Sequence, residues 1–316
     1  MPLRPSRSAY PLSWRVLDAL EAGARGVWPA RFAKGVPWLM LAPAILLVGL
    51  LAVSLFEIAD ASLRTLDTAT FLPSEERTLA NYVRAFSEPV VLAVGLRSLG
   101  GALLVTLATL VLAFPYAYAM VRTPSAAWRK TLLIALFLPF FIGQVVRAYG
   151  WLILLGNQGL ANEILGLAGL GPYRLLFNYW AVLFGLVQYM LPFAVLMLAP
   201  ALSAIPEEVE AAAGSLGADW GRTLLHVVFP MAKPGFVGAG LVVLTLTLTD
   251  FAIPAILGGG GQDFVANAIY DQFFRTSDQG MGATLTVLLV LVGSTLVGVV
   301  FALFGAGTLS LRGRAP

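Results

Sequence analysis

Arg147 and Asp250 are ionisable residues set inside long apolar runs. A charge at the centre of a membrane helix costs roughly 2.5 kcal/mol or more, so such residues mark a solute path, a gate or a tight buried pair. Gln144, Arg147 and Trp151 fall at i, i+3 and i+7 and give their helix one polar and aromatic stripe. Thr247 lies one turn before Asp250 and Pro254 one turn after it, giving a second polar edge and a site for a bend. Gln188 and Tyr189 are weaker candidates to line the same path, and Glu57 reaches an interface at the end of its own helix. The spacing predicts that Arg147 and Asp250 approach each other at comparable depth and line or gate a pathway. A buried pair that only fixes helix packing fits the same residues, because breaking such a pair destabilises the fold whether or not anything passes it.

Catalytic chemistry finds little support. His226 is the sole histidine, and there is no HExxH, paired-aspartate or nucleophile–base arrangement around it. Lys34, Lys130 and Lys233 are the only lysines, and none sits in a GxxxxGK[ST] frame, so the chain cannot cradle and hydrolyse ATP. The four glycines at 258–261 have no following lysine and read as a flexible turn. With no cysteine, disulfides and thiol-held metals are excluded.

The elements that must position these residues are membrane helices. The chain has 316 residues, of which 59% are hydrophobic and 12% charged, with a mean hydropathy of +0.84. Backbone groups in lipid must be satisfied internally, and no alternating barrel pattern is present, so the spans are helical. Six are placed at about 37–59, 97–122, 130–155, 178–204, 235–257 and 282–310. Residues 1–36 form a basic tail. In it Trp14, Leu17 and Ala24 face one way and Arg15, Asp18 and Arg25 another, as in a helix lying on the membrane surface. An even span count puts both termini, including the tail 311–316, on one side. Arg122, Arg129, Lys130, Arg222, Lys233, Arg312 and Arg314 mark that side as cytoplasmic.

Between spans four and five, residues 205–235 interrupt the apolar pattern with two short polar helices. Pro206 suits a first helical turn, Ser203 is a nearby N-cap candidate, and Glu207, Glu208 and Glu210 favour the positive helix end. Gly217 breaks the run. Asp219 can cap a second helix over Trp220–Val228, which Pro230 and Pro234–Gly235 then stop. Ala211, Ala212, Ala213 and Gly217 are small enough to let a partner surface approach closely.

That loop resembles the EAA loop of permease subunits of binding-protein-dependent ABC importers. Ala212, Ala213, Gly217, Val227, Phe229 and Pro230 occupy the family's spacing. The family's glutamate position holds Ala211, and Glu210 lies one residue earlier, about 100° round the helix. The resemblance covers most of the chain and is nearest to the spermidine/putrescine branch. It is carried by Arg147-Ala148-Tyr149-Gly150-Trp151 with LLGNQGLANEIL after it, by DFAIPAILGGG at 250–260 and by NAIYDQFF at 267–274. The long basic tail looks like that of the first of two permeases.

The resemblance implies an all-α membrane protein with six transmembrane helices and a type I ABC importer permease-like fold in the bacterial inner membrane. It implies a non-catalytic subunit forming half of a solute pathway, with Glu208, Glu210, Ala211, Ala212, Ala213, Gly217, Asp219 and Pro230 in its ATPase-coupling loop. Expected partners are a cytoplasmic ATP-binding subunit dimer, a second and different permease, a soluble substrate-binding protein and membrane lipid, with no nucleic acid. No cofactor or metal is expected on this chain; ATP and Mg belong to the ATPase. Polyamine is the expected solute, with an opine, an amino-acid derivative or an organic anion as alternatives. A secondary transporter would instead show inverted repeats and work alone, and a membrane enzyme would need a catalytic constellation.

Overall fold

A computed structural model describes residues 36–67 and 73–305, with isolated positions 14, 16–18 and 23. The tail 311–316 lies outside the described residues. So do Arg15, Ala24 and Arg25 of the expected surface helix. The chain divides into two compact units, residues 1–57 and 58–316. The first contains most of α1 (Val36–Ser62), whose described side chains up to Glu57 are exposed and predominantly apolar.

The second unit starts with a feature the hydropathy pattern does not show, a two-stranded antiparallel ribbon of β1 (Arg64–Leu66) and β2 (Pro73–Arg77). Asp60 ties it down, accepting from Arg64 at 2.8 Å and Arg77 at 2.6 Å. Asn81, in α2 (Ala80–Ser87), donates to the carbonyls of Ser62 and Arg64. The long α3 (Pro89–Arg122) follows, starting well before the expected 97 because Pro89 supplies a good first-turn residue.

The third expected span is two helices. Ala126–Phe141, made of α4 (Ala126–Phe137) and a 3-10 turn, meets α5 (Gln144–Leu154) at 97°. Pro139 removes a backbone donor and Gly143 supplies an extended residue where the chain turns. After α6 (Leu160–Leu167) comes α7 (Tyr179–Ser203), capped by Asn178, whose side chain accepts from the Ala181 amide at 2.9 Å. The loop contains α8 (Glu207–Ser215) and a segment α9 (Trp220–Met231). Then come α10 (Lys233–Leu248), α11 (Ala252–Gly258), α12 (Val265–Phe274) and α13 (Gln279–Val300). Among the described residues four helices are long and apolar enough to cross a membrane, or up to six if each bent pair is one span.

The core of this unit is α3, α7 and α10. Along α7, Val182, Leu186, Met190, Ala194, Leu198 and Leu202 recur every fourth residue and are fully buried. Ala239, Val243 and Thr247 form the same ridge on α10, and Val105, Thr109, Ala113 and Ala117 form it on α3. Fourth-residue ridges interdigitate, and small side chains let membrane helices approach without a hydrophobic drive from water. Gly101 shows how close the packing is: a Cβ there would lie 2.7 Å from the ring of Phe264, which is itself fully buried.

Candidate functional site

The fifth expected span breaks at Thr249–Phe251, between α10 and α11. Pro254 is not the cause; it sits in the first turn of α11, where its missing donor costs nothing. Asp250 makes the break. One of its oxygens accepts from the Ile253 amide at 3.0 Å, starting α11, and the other accepts from the Gln144 amide side chain. Asn267 steadies the same turn by donating to the Phe251 carbonyl at 2.9 Å.

The stripe on α5 faces this break and the polar residues of α7. The Arg147 guanidinium lies 5.1 Å from the centre of the Tyr189 ring, a cation–π distance. Its Nη2 donates to the Ile142 carbonyl at 3.3 Å, while Nε and Nη1 are buried with no partner among the described residues. Trp151 donates weakly to Gln188 at 3.4 Å and meets Phe184 edge-on at 4.7 Å. Thr247 is fully buried, its hydroxyl without a partner among the described residues. The structure thus brings Gln144, Arg147, Trp151, Gln188, Tyr189 and Asp250 into one linked cluster. It does not pair Arg147 with Asp250: among the described residues no ion pair joins them, because Gln144 takes the carboxylate and Tyr189 takes the guanidinium. An arginine so placed keeps two donors with no partner among the described residues.

The loop follows the sequence in most of its punctuation. Gly217 adopts φ +85, and the Ala218 amide bonds to Ala213 while the Gly217 amide bonds to Gly214, closing α8 in a left-handed cap. Asp219 accepts from the Arg222 amide at 2.7 Å and starts α9. Two expectations change. Ser203 is the last residue of α7, and Pro206 itself takes the cap position of α8. Pro230 does not stop α9, which runs to Met231; the preceding Leu224–Val228 widens into a π turn that accommodates the proline's missing donor and ring. The 70° bend comes at the junction with α10. Glu207, Glu208, Ala211, Ala212 and Ser215 are exposed, whereas Val209, Glu210 and Ala213 turn toward the body of the protein.

Sequence reasoning missed what Glu210 touches. Tyr118 donates to it at 2.6 Å, and Arg122 donates through Nε at 2.8 Å with Nη2 in ion-pair contact at 2.6 Å. The signal was a tyrosine and an arginine at i and i+4 closing an apolar helix, of which only the positive charge had been used. At the opposite end of α3, Arg97 donates to the carbonyls of Gly261 and Asp263, both at 3.3 Å, and Ser98 accepts from the Val265 amide. No group of metal-ligating side chains occurs among the described residues.

Comparison with known proteins converges on one family. Residues 30–309 match the family described as "Binding-protein-dependent transport system inner membrane component". The spermidine/putrescine transport system permease protein PotB of Escherichia coli (strain K12) is 33% identical over 237 residues, covering 74% of this chain and 85% of that one. The inner membrane ABC transporter permease protein YdcU of the same organism is 32% identical over 241 residues, covering 72% and 76%. A crystal structure of a bacterial ABC transporter that imports the acidic polysaccharide alginate matches in fold, with TM-score 0.66 at 17% identity over 86% of this chain and 98% of that one. The alginate transporter in complex with its alginate pentasaccharide-bound periplasmic protein matches with TM-score 0.69, also at 17% identity, over 86% and 95%.

Proposed function

The chain belongs to the binding-protein-dependent transport system inner membrane components and is a non-catalytic, multi-pass permease subunit of an ABC importer; from that premise we propose that it forms half of a polyamine pathway. The observation that carries this reading is the cluster at the α10–α11 break, where the buried carboxylate of Asp250 is held by Gln144 of the same α5 stripe that sets Arg147 on Tyr189 and Trp151 on Gln188. Primary ammonium groups pair with a carboxylate and with aromatic faces. The relative PotB, named for spermidine and putrescine, supports the same class.

A soluble binding protein delivers the solute to the end that carries the ribbon, α6 and the 258–264 loop. The small exposed face of α8, with Ala211 and Ala212, docks an ATP-binding subunit that holds ATP and Mg. The basic 122–130 and 205–235 segments face the cytoplasm, with both termini. A second permease completes the path, since this chain has one coupling loop, and the resemblance to two-permease importers makes that second subunit a different chain.

The test is uptake of radiolabelled spermidine and putrescine into proteoliposomes holding the chain, a second permease and the ATPase, with binding protein added. ATP-dependent uptake that needs all four components is the expected result, and uptake by this chain alone refutes it. One observation favours a second reading. The two unpartnered Arg147 donors would suit a carboxylate-bearing solute such as an opine, an amino-acid derivative or another organic anion. Competition of uptake by such anions, with none by polyamines, selects it.

A further inference from the structure

The carboxylate of Glu210 is held on both oxygens by α3 and is turned away from the exposed face of α8. Arg122 also donates from Nη2 to the Ile205 carbonyl at 2.9 Å, so one guanidinium grips both the start of the loop and its first helix. The Arg122 and Glu210 side chains retain 15% and 16% of their exposure, which shields the pair from the screening that makes surface pairs weak. Around them Tyr118 meets Trp220 edge-on, while Phe229 stacks on Phe236 and Phe114 tilts against both, all three ring centres within 5.4 Å of one another. The loop is therefore fastened to α3 as well as to α7 and α10, between which it is strung. α3 is a helix of 34 residues that carries Pro115 inside it without ending there, and the stretch from Arg97 to Arg122 spans about 38 Å at 1.5 Å per residue. Some two turns in from its other end, Arg97 holds the glycine-rich 258–264 segment by the Gly261 and Asp263 carbonyls, and Ser98 accepts from the Val265 amide that opens α12.

We infer that Glu210, with Tyr118 and Arg122, is a positioning latch that passes displacement of the coupling helix α8 into α3, and so to the segment that Arg97 holds at the opposite end. The inference rests on the reading that an ATPase grips α8. It makes Glu210 an internal fastener rather than a contact for the partner. The residue acts through α3, without touching solute or nucleotide. Its removal loosens the link between hydrolysis and transport.

The readout is solute moved per ATP hydrolysed by the assembled transporter in proteoliposomes. Glu210→Gln and Tyr118→Phe are expected to lower that ratio, Glu210→Gln by about tenfold, which is the effect of losing about 1.4 kcal/mol of coupling. The exchange Glu210→Arg with Arg122→Glu recovers much of it, and Arg129→Gln, at the same end of the molecule, leaves it at the wild-type value. A wild-type ratio in both Glu210→Gln and Tyr118→Phe overturns the latch. If Glu210→Gln fails to assemble, Tyr118→Phe decides: it keeps the ion pair and removes one hydrogen bond, and an unchanged ratio there overturns the proposal. Co-purification of the ATPase with the wild-type chain tests the underlying reading separately. Its absence refutes docking at α8, whereas docking with unchanged ratios refutes only the latch.

Discussion

Asp250 satisfies one oxygen with a backbone amide and the other with Gln144, so its role in the fold can be separated from the transport role proposed for it. Asp250→Asn keeps an acceptor for the Ile253 amide and removes the charge. The variant is expected to accumulate in the membrane near the wild-type level while polyamine uptake falls about tenfold or more, the effect of one lost ionic contact worth about 1.4 kcal/mol. Unchanged uptake removes Asp250 from the path. Arg147→Gln separates the two solute classes: it relieves repulsion of a polycation, and uptake holds or rises, whereas a carboxylate-bearing solute loses its donors and its uptake collapses. Outside the spans, Asp263 has its carboxyl pushed above the ordinary carboxylate range, first by burial and then by the Asp271 carboxylate. A raised folded-state pKa means that the folded protein binds the proton more tightly. Stability is then greatest below the unfolded-state value of 3.8 and is lost as pH rises through the folded-state value. Asp263→Asn is therefore expected to raise the melting temperature at pH 7.5, with the gain shrinking on acidification. A gain that grows on acidification contradicts this sign.

Helices and their ends were legible where a residue acts through its own backbone. Gly217 and Asp219 were read correctly because a left-handed turn and an N-cap are local demands. The break inside the third expected span was not read, and the bend expected in the fifth was placed at Pro254 rather than at Thr249–Phe251. Hydropathy averages across a turn of two or three residues, so Pro139–Gly143 and Thr249–Phe251 disappeared into apolar windows. The proline chosen as the bend, Pro254, was the wrong one because it falls where a helix starts. Five of the candidate path residues lie on α5 and α7, and periodicity could find them, but it could not say that Gln144 would intercept Asp250 from Arg147. That outcome depends on how α5 and the α10–α11 break face each other. Packing between α3 and the Asn267 turn gives a prediction of its own. Gly101→Ala puts a Cβ 2.7 Å from the buried Phe264 ring, and overpacking of that kind costs about 1–3 kcal/mol. The melting temperature of the detergent-solubilised protein should fall; an unchanged value would mean that Phe264 can move aside.

At the scale of the whole molecule, the two ends of the 58–316 unit differ in chemistry. One end presents the basic 122–130 turn and the α8–α9 loop, whereas the other presents the ribbon, α6 and the glycine-rich segment. On the proposed reading the positive-inside rule puts the first end in the cytoplasm, where an ATPase would reach α8. Because the protein contains no cysteine, single cysteines can be placed without removing any native thiol. Leu216 is 88% exposed beside the coupling helix and Leu167 is 91% exposed at the end of α6. In spheroplasts, a membrane-impermeant maleimide is expected to label Leu167→Cys and to reach Leu216→Cys only after permeabilisation. Co-expression with the ATP-binding subunit should then protect Leu216→Cys and leave Leu167→Cys reactive, since a subunit docked on α8 covers one end of the permease alone. The reverse labelling pattern would place α8 outside the cell, away from any ATP, and the coupling reading would fail with it.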